Sequence, residues 1–131
     1  MKRDLDFIRE LLLFIEESNS ANIPPNEFLQ LTDDFDKICY HLHLLYESGY
    51  IEAYDITCIG YEYPQYQVRW LTNEGCDYLD AVRSNSVWDK TKDFLTSTGS
   101  SAALDTVKAI AGKITMSLLE SSLHFQHPHK Q

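Results

Sequence analysis

Between Leu42 and Gly75 the chain changes its periodicity twice. Helical spacing ends at Gly49, and Tyr50–Ile59 and Tyr66–Leu71 then run rich in aromatic and β-branched residues, with a Gly- and Pro-containing connection, Gly60–Gln65, between them. Leu71-Thr72-Asn73-Glu74-Gly75 restarts a helix, with Thr72 as its cap. A segment whose side chains alternate on two faces cannot share one stripe with helices on both flanks, so the order helix, hairpin, helix excludes both a pure helical bundle and a sandwich. The expected class is α+β.

Upstream, residues 4 to 18 place Leu5, Ile8, Leu12 and Ile15 at helical spacing, with Leu11 widening the stripe and Phe7 and Phe14 beside it. Asn19–Pro25 breaks that helix, and Glu27–Leu31 reads as either a helical turn or a short strand. Thr32 is a candidate N-cap for a second helix that opens on Asp33, Asp34 and Asp36, whose carboxylates suit the positive end of a helix dipole. That helix is expected to reach about Ser48, with Phe35, Ile38, Leu42 and Leu45 inward and Asp33, Lys37, Tyr40, His41, Leu44 and Glu47 outward. Gly49 supplies the left-handed position that ends it.

Downstream, the helix after Thr72 runs to about Arg83, with Cys76, Leu79 and Val82 as its buried edge and Asp80 pairing with Arg83. Ser86 and Asp89 read as a capping box that opens another helix to about Leu95, held by Trp88 and Phe94. Thr96–Ser101 has linker composition, and Leu104, Val107, Ala111, Ile114 and Leu118 then line one face of a last helix from about Ala102 to Leu123. That line either packs on the domain or pairs with a second copy. The expected layout is thus a domain over 1–95, a linker over 96–101, an oligomerising or packing helix over 102–123 and a disordered tail over 124–131. The order of elements is that of a winged helix with a two-stranded wing and additional C-terminal helices, in which the Asp33 to Glu47 helix takes the recognition position.

The charge opposes the function that this fold most often serves. The 131 residues carry a formal net charge of −9. Residues 1–60 hold four Lys/Arg against twelve Asp/Glu, and residues 61–131 hold seven against eight. Duplex binding depends on neutralising phosphates with cations, so an acidic N-terminal half repels the ligand at long range.

Chemical machinery is equally sparse in the sequence. There is no HExxH, no CxxC pair and no Gly-rich phosphate loop. Cys39, Cys58 and Cys76 read as small hydrophobes or free thiols. His41 and His43 lie about 200° apart on a helix and cannot share a metal, and His124, His127 and His129 in the tail read as adventitious binders at most. Asp77 and Asp80 read as structural or solvated carboxylates, and the lone serine and histidine pair, Ser121 and His124, lacks a third orienting group. No cofactor is implied, and the protein is expected not to be an enzyme. With Met1-Lys2-Arg3-Asp4 placing charge where a secretory signal begins its apolar region, and Leu11–Ile15 far too short to span a bilayer, a cytoplasmic protein without a membrane partner is expected. Tyr54, Tyr61, Tyr63, Tyr66 and Trp70 crowd the hairpin with Arg69 as their one cation, a composition that favours a protein contact over a stacked nucleic acid. Tyr61 and Tyr63 are expected to be exposed.

The MKRD start and its helix, Tyr40-His41-Leu42 leading to Gly49-Tyr50-Ile51-Glu52, Leu71-Thr72-Asn73-Glu74-Gly75, Leu79-Asp80-Ala81-Val82-Arg83 and Val87-Trp88-Asp89-Lys90-Thr91-Lys92 resemble the bacterial and phage family DUF2513 over most of the chain. The resemblance implies a winged-helix-like fold and a phage or prophage setting, and it brings no catalytic residue or substrate. The expected function is a non-catalytic interaction protein that binds a protein partner through Asp33, Asp34, Lys37, Tyr40, His41, Glu47, Tyr61, Tyr63 and Arg69, in one variant as an acidic decoy of nucleic acid. The alternative is a dimeric transcriptional regulator with Lys37, Tyr40 and His41 in the major groove of duplex DNA and Arg69 on its backbone.

Overall fold

The structure, a computed structural model, describes residues 1–100 and 102–126. In chain order the elements are α1 (Leu5–Glu17), a 3-10 turn (Pro25–Gln30), α2 (Phe35–Glu47), β1 (Ile51–Asp55), β2 (Tyr66–Leu71), α3 (Asn73–Val82), α4 (Asn85–Thr98) and α5 (Leu104–Gln126). The fold is α+β, mostly helical with one two-stranded antiparallel sheet. It divides into two compact units, Met1–Leu79 and the segment from Asp80 onward.

In the first unit, α1 begins where the Asp4 carboxylate accepts the Phe7 N–H at 3.1 Å, a cap that contributes about 1 kcal/mol. Ile8, Leu11, Leu12 and Ile15 are buried as their spacing requires, and Phe7 joins them. The chain then returns through Ile23, which exchanges two backbone hydrogen bonds with Val68 (2.8 and 3.0 Å) and so lays an extended residue along the free edge of β2. The ambiguous segment is a 3-10 turn, and its Phe28 is buried in contact with the Phe14 ring.

The N-cap of α2 is Asp34, which accepts the Lys37 N–H at 3.1 Å. Thr32, expected in that role, instead accepts the Asp34 N–H at 3.2 Å. Helix α2 ends as anticipated, with Gly49 at φ +75°.

The hairpin differs from its sequence outline in length. Strand β1 stops at Asp55, not Ile59, because the Asp55 carboxylate turns back to accept the Thr57 N–H at 2.9 Å. Thr57 Oγ1 accepts the Gln65 N–H at 3.0 Å, and the Ile56 N–H donates to the Gln65 carbonyl at 2.9 Å, which pins the neck of the hairpin. A bulge between Glu52 and Ala53 pairs Trp70 with Glu52 and Val68 with Ala53, leaving Arg69 without an opposing residue.

The Leu71-Thr72-Asn73-Glu74-Gly75 segment has a clear physical role. Thr72 caps α3 by accepting the Gly75 N–H at 3.1 Å, its own N–H donates to the Tyr50 carbonyl at 3.0 Å, and its hydroxyl donates to the Gly49 carbonyl. A Cβ on Gly75 would collide with the Tyr50 carbonyl oxygen, so only glycine lets α3 start this close to the end of α2. On α3 the buried side chains are Tyr78, Leu79 and Val82, whereas Cys76 is exposed. The Asp80 and Arg83 side chains pair at 2.8 Å.

In the second unit, Ser84 caps α4 by accepting the Val87 N–H at 3.3 Å, so the helix begins ahead of the expected Ser86. Val87, Trp88 and Thr91 are buried and Phe94 is 45% exposed, so Phe94 does not hold the helix as expected. Helix α4 continues through Thr96 to Thr98 and ends at Gly99 (φ +65°). Helices α4 and α5 pack together. Leu104, Val107 and Ala111, read from sequence as oligomerisation residues, are buried within the chain, while Ile114 is half-buried and Leu118 exposed. Ser101 of the expected linker, the side chain of His124, and His127 and His129 lie outside the described residues. No described helix is long and apolar enough to cross a membrane.

Candidate interaction surface

The nine residues singled out from sequence fall into three groups around α2 and the hairpin. The first surrounds His41, which is fully buried and so cannot present itself to a partner. Its Nε2 accepts the Asp4 N–H at 2.9 Å, and because a backbone N–H only donates, the ring proton sits on Nδ1 and is donated to the Lys37 carbonyl at 2.8 Å. Both ring nitrogens are therefore committed. Burial pushes the His41 pKa below its ordinary 6.5 and keeps the ring neutral. Phe7 and Tyr40 meet its edges at ring separations of 5.2 and 5.3 Å.

Lys37 belongs to the same group. Its ammonium lies 3.0 Å from the Asp4 carboxylate and 4.8 Å from the centre of the Phe7 ring. For Asp4, burial acts to raise the pKa, but the hydrogen bonds from Lys37 and the Phe7 N–H outweigh it and hold the carboxyl below its usual value. Helix α2 has no other Lys or Arg. Its one permanent cation is thus engaged at the start of α1, while Asp33, Asp34, Asp36 and Glu47 remain exposed.

A second group lies at the base of the hairpin, and Glu47 alone of its members was among the candidate residues read from sequence. The buried Tyr66 ring stacks on Tyr46 at 4.6 Å, and its hydroxyl lies 2.8 Å from His43 Nδ1. Burial raises the Tyr66 pKa, so the phenol keeps its proton, and His43 Nε2 faces Glu47 at 3.4 Å. The spacing of His43 and Glu47, four apart on one helix, was the available signal. The Tyr66 contact depends on the tertiary fold. The Tyr66 hydroxyl is engaged beneath a stacked ring, so this chain of contacts locks the hairpin to α2.

The third group is the hairpin itself. Tyr63 is half-buried against Tyr40 at 5.6 Å, contrary to its expected exposure, whereas Tyr61 is open. The Arg69 guanidinium lies 4.0 Å from the centre of the Trp70 ring and 5.2 Å from that of Tyr54, so the bulged residue is held against two aromatic faces. Beyond them Ile59 is 104% exposed, an apolar side chain with no cover at all. Ile56, Tyr54 and Trp70 are also exposed. On α1, a surface cavity of about 290 Å³ is lined by Leu13, Phe14 and Leu31 with Glu10 and Glu17 at its margin.

Among the described residues no three His, Cys, Asp or Glu side chains gather as a metal site. Cys39 is buried and its thiol is pushed up to about 11 by burial and by Asp36, while Cys58 and Cys76 are exposed.

Comparison with known proteins agrees with the motifs in the sequence. The family described as "Hypothetical protein (DUF2513)" matches residues 2–101, from the start of the chain through α4. The chain belongs to the DUF2513 family. A Haemophilus influenzae relative described as "Uncharacterized protein" is 32% identical over 121 residues, covering 91% of this chain and 99% of its own length. No solved structure matches.

Proposed function

We propose that this DUF2513 protein is a non-catalytic, winged-helix interaction protein of phage or prophage type that binds a basic protein surface carrying exposed apolar side chains. The phage setting rests on the family alone. The winged-helix reading is supported by the order α1, an extended residue paired at Ile23, a short turn, α2 and the β1–β2 hairpin; under that reading α2 would take the recognition position. One observation carries the function. The only permanent cation of α2 is held by Asp4 while its carboxylates stay exposed, so the helix offers a negative face where a duplex reader needs a positive one. Beside it, Ile59, Tyr61 and Tyr54 supply the apolar and aromatic area that protein contacts use, and the slot between Glu10 and Glu17 combines an apolar floor with an acidic margin. A partner that itself binds nucleic acid has the matching charge.

The test has two arms. Fluorescence anisotropy with a labelled duplex is expected to show no binding at low salt, and capture from the source organism is expected to retain a stoichiometric basic protein that is lost with Ile59→Asp or Tyr61→Ala. The alternative reading is a dimeric regulator that uses Lys37, Tyr40 and Arg69 on DNA. Tight duplex binding that falls steeply with salt would sink the adaptor reading in its favour.

A further inference from the structure

Helix α5 carries a second apolar face that is distinct from the one it buries. Leu104, Val107 and Ala111 are buried, but Met116, Leu119 and Leu123 are 57%, 50% and 54% exposed. At 3.6 residues per turn this second face lies roughly a third of a turn away from the first. With Gly112 it forms the series 112, 116, 119, 123, whose steps of four, three and four are those of a two-helix seam. A Cβ placed on Gly112 meets no atom of the described residues within 4 Å, so the seam has room there for a second helix. From Ile114 to Gln126 Glu120 is the sole charged residue, which leaves little for an acidic or basic partner to recognise.

The flanking charges identify the occupant and its direction. Lys113 and Glu120 sit one heptad apart on the same margin of the seam, both exposed and without an ion-pair partner among the described residues. On the other margin stand Lys108, Thr115 and Ser122. If two copies of α5 ran parallel, opposite margins would meet and bring Lys108 of one against Lys113 of the other. Antiparallel, like margins meet, so that Lys113 of each copy faces Glu120 of its partner. A two-fold axis between the helices then makes the pair twice, as an isologous contact requires. We infer that α5 is a homodimerisation helix whose antiparallel seam is Gly112, Met116, Leu119 and Leu123, closed on one margin by reciprocal Lys113 and Glu120 ion pairs. This replaces the sequence-based oligomerisation line, three of whose five residues the chain itself consumes. It stands independently of the partner proposed for the wing.

Sedimentation velocity on the full chain, over a concentration series reaching about 1 mM, the weak end of specific association, is the test. The expected result is a rise from the monomer mass of 15.2 kDa to twice that value. Lys113→Glu places two carboxylates on each margin contact and is expected to weaken the dimer roughly tenfold or more, the effect of a few like-charge contacts at an interface. Glu120→Lys in the same chain as Lys113→Glu restores the pairs with reversed sign and is expected to recover wild-type association. All of these changes lie at exposed positions, and circular dichroism checks that the helix content is unchanged. A chain that stays monomeric throughout the series overturns the inference, as does a double variant that associates no better than the single one.

Discussion

The seam between α1 and α2 and the tip of the hairpin treat their side chains in opposite ways. Around His41 each polar group shown has a partner: the ring bridges Asp4 and Lys37, and the Lys37 ammonium sits between the Asp4 carboxylate and the Phe7 ring. At the hairpin tip the apolar side chains are the ones left over, with Ile59 wholly exposed and Tyr61 more than half so. Buried polar groups cost stability unless they are paired, and exposed apolar groups cost little until a partner covers them. The first region therefore serves stability, and the second has the exposed apolar area that the proposed contact would use.

The largest test of that contrast is His41→Ala, which removes a fully buried ring and orphans two backbone groups. A loss of about 3 kcal/mol is expected in urea unfolding, and a loss below about 0.5 kcal/mol, the range of ordinary surface changes, would break the contrast. Gly75→Ala probes the anchored end of the wing, where the new methyl meets the Tyr50 carbonyl. Here about 2 kcal/mol is expected, with the midpoint shifted and the slope unchanged. The pH dependence comes next. Because burial depresses the His41 pKa below 6.5, the unfolded chain binds a proton that the native chain refuses. Stability is then whole above about pH 6.5 and drains as pH falls, by at most about 1.4 kcal/mol per pH unit for one proton. Asp4, also depressed, adds a loss of the same sign only as pH falls below 3.8. Unfolding midpoints measured between pH 7.5 and 5 should show the first loss in the wild type and not in His41→Gln. The smallest effect belongs to Ile59→Asp and Tyr61→Ala, whose unfolding free energies should match wild type to within about 0.5 kcal/mol. A larger loss would mean that the tip is structural after all.

Much of the fold was legible because it depends on local spacing. The apolar stripe of α1, the glycine that ends α2, the second strand and the Thr72 cap all rest on residues within a few positions of one another. Element starts were less legible. Asp34 and Ser84 cap where Thr32 and Ser86 were expected, since neighbouring Ser, Thr and Asp compete for the same N–H groups and only the final chain direction selects one. Helix α5 misled for a different reason: its two apolar faces overlap in sequence, and nothing local says which one the rest of the chain will cover.

The exposure of the candidate residues was legible only in part. Asp33, Glu47 and Tyr61 are exposed, whereas His41 is in the core and Tyr63 leans on Tyr40. A trace of the His41 answer was present, since 38, 41, 42 and 45 complete the pattern of a buried helical stripe. Polarity argued the other way, and it was outweighed by an acceptor and a donor placed with the right geometry.

Sequence alone determined that this chain alternates helix and hairpin, that it is acidic at its N-terminal half, and which family it resembles, because spacing, charge and motif are properties of the string. Tertiary structure alone decided that Lys37 is spoken for, that His41 is core, and that α5 keeps a free apolar face. Each of these depends on groups far apart in the chain, as with Asp4 and His41, thirty-seven positions apart, and contacts of that range exist only once the backbone has folded back on itself.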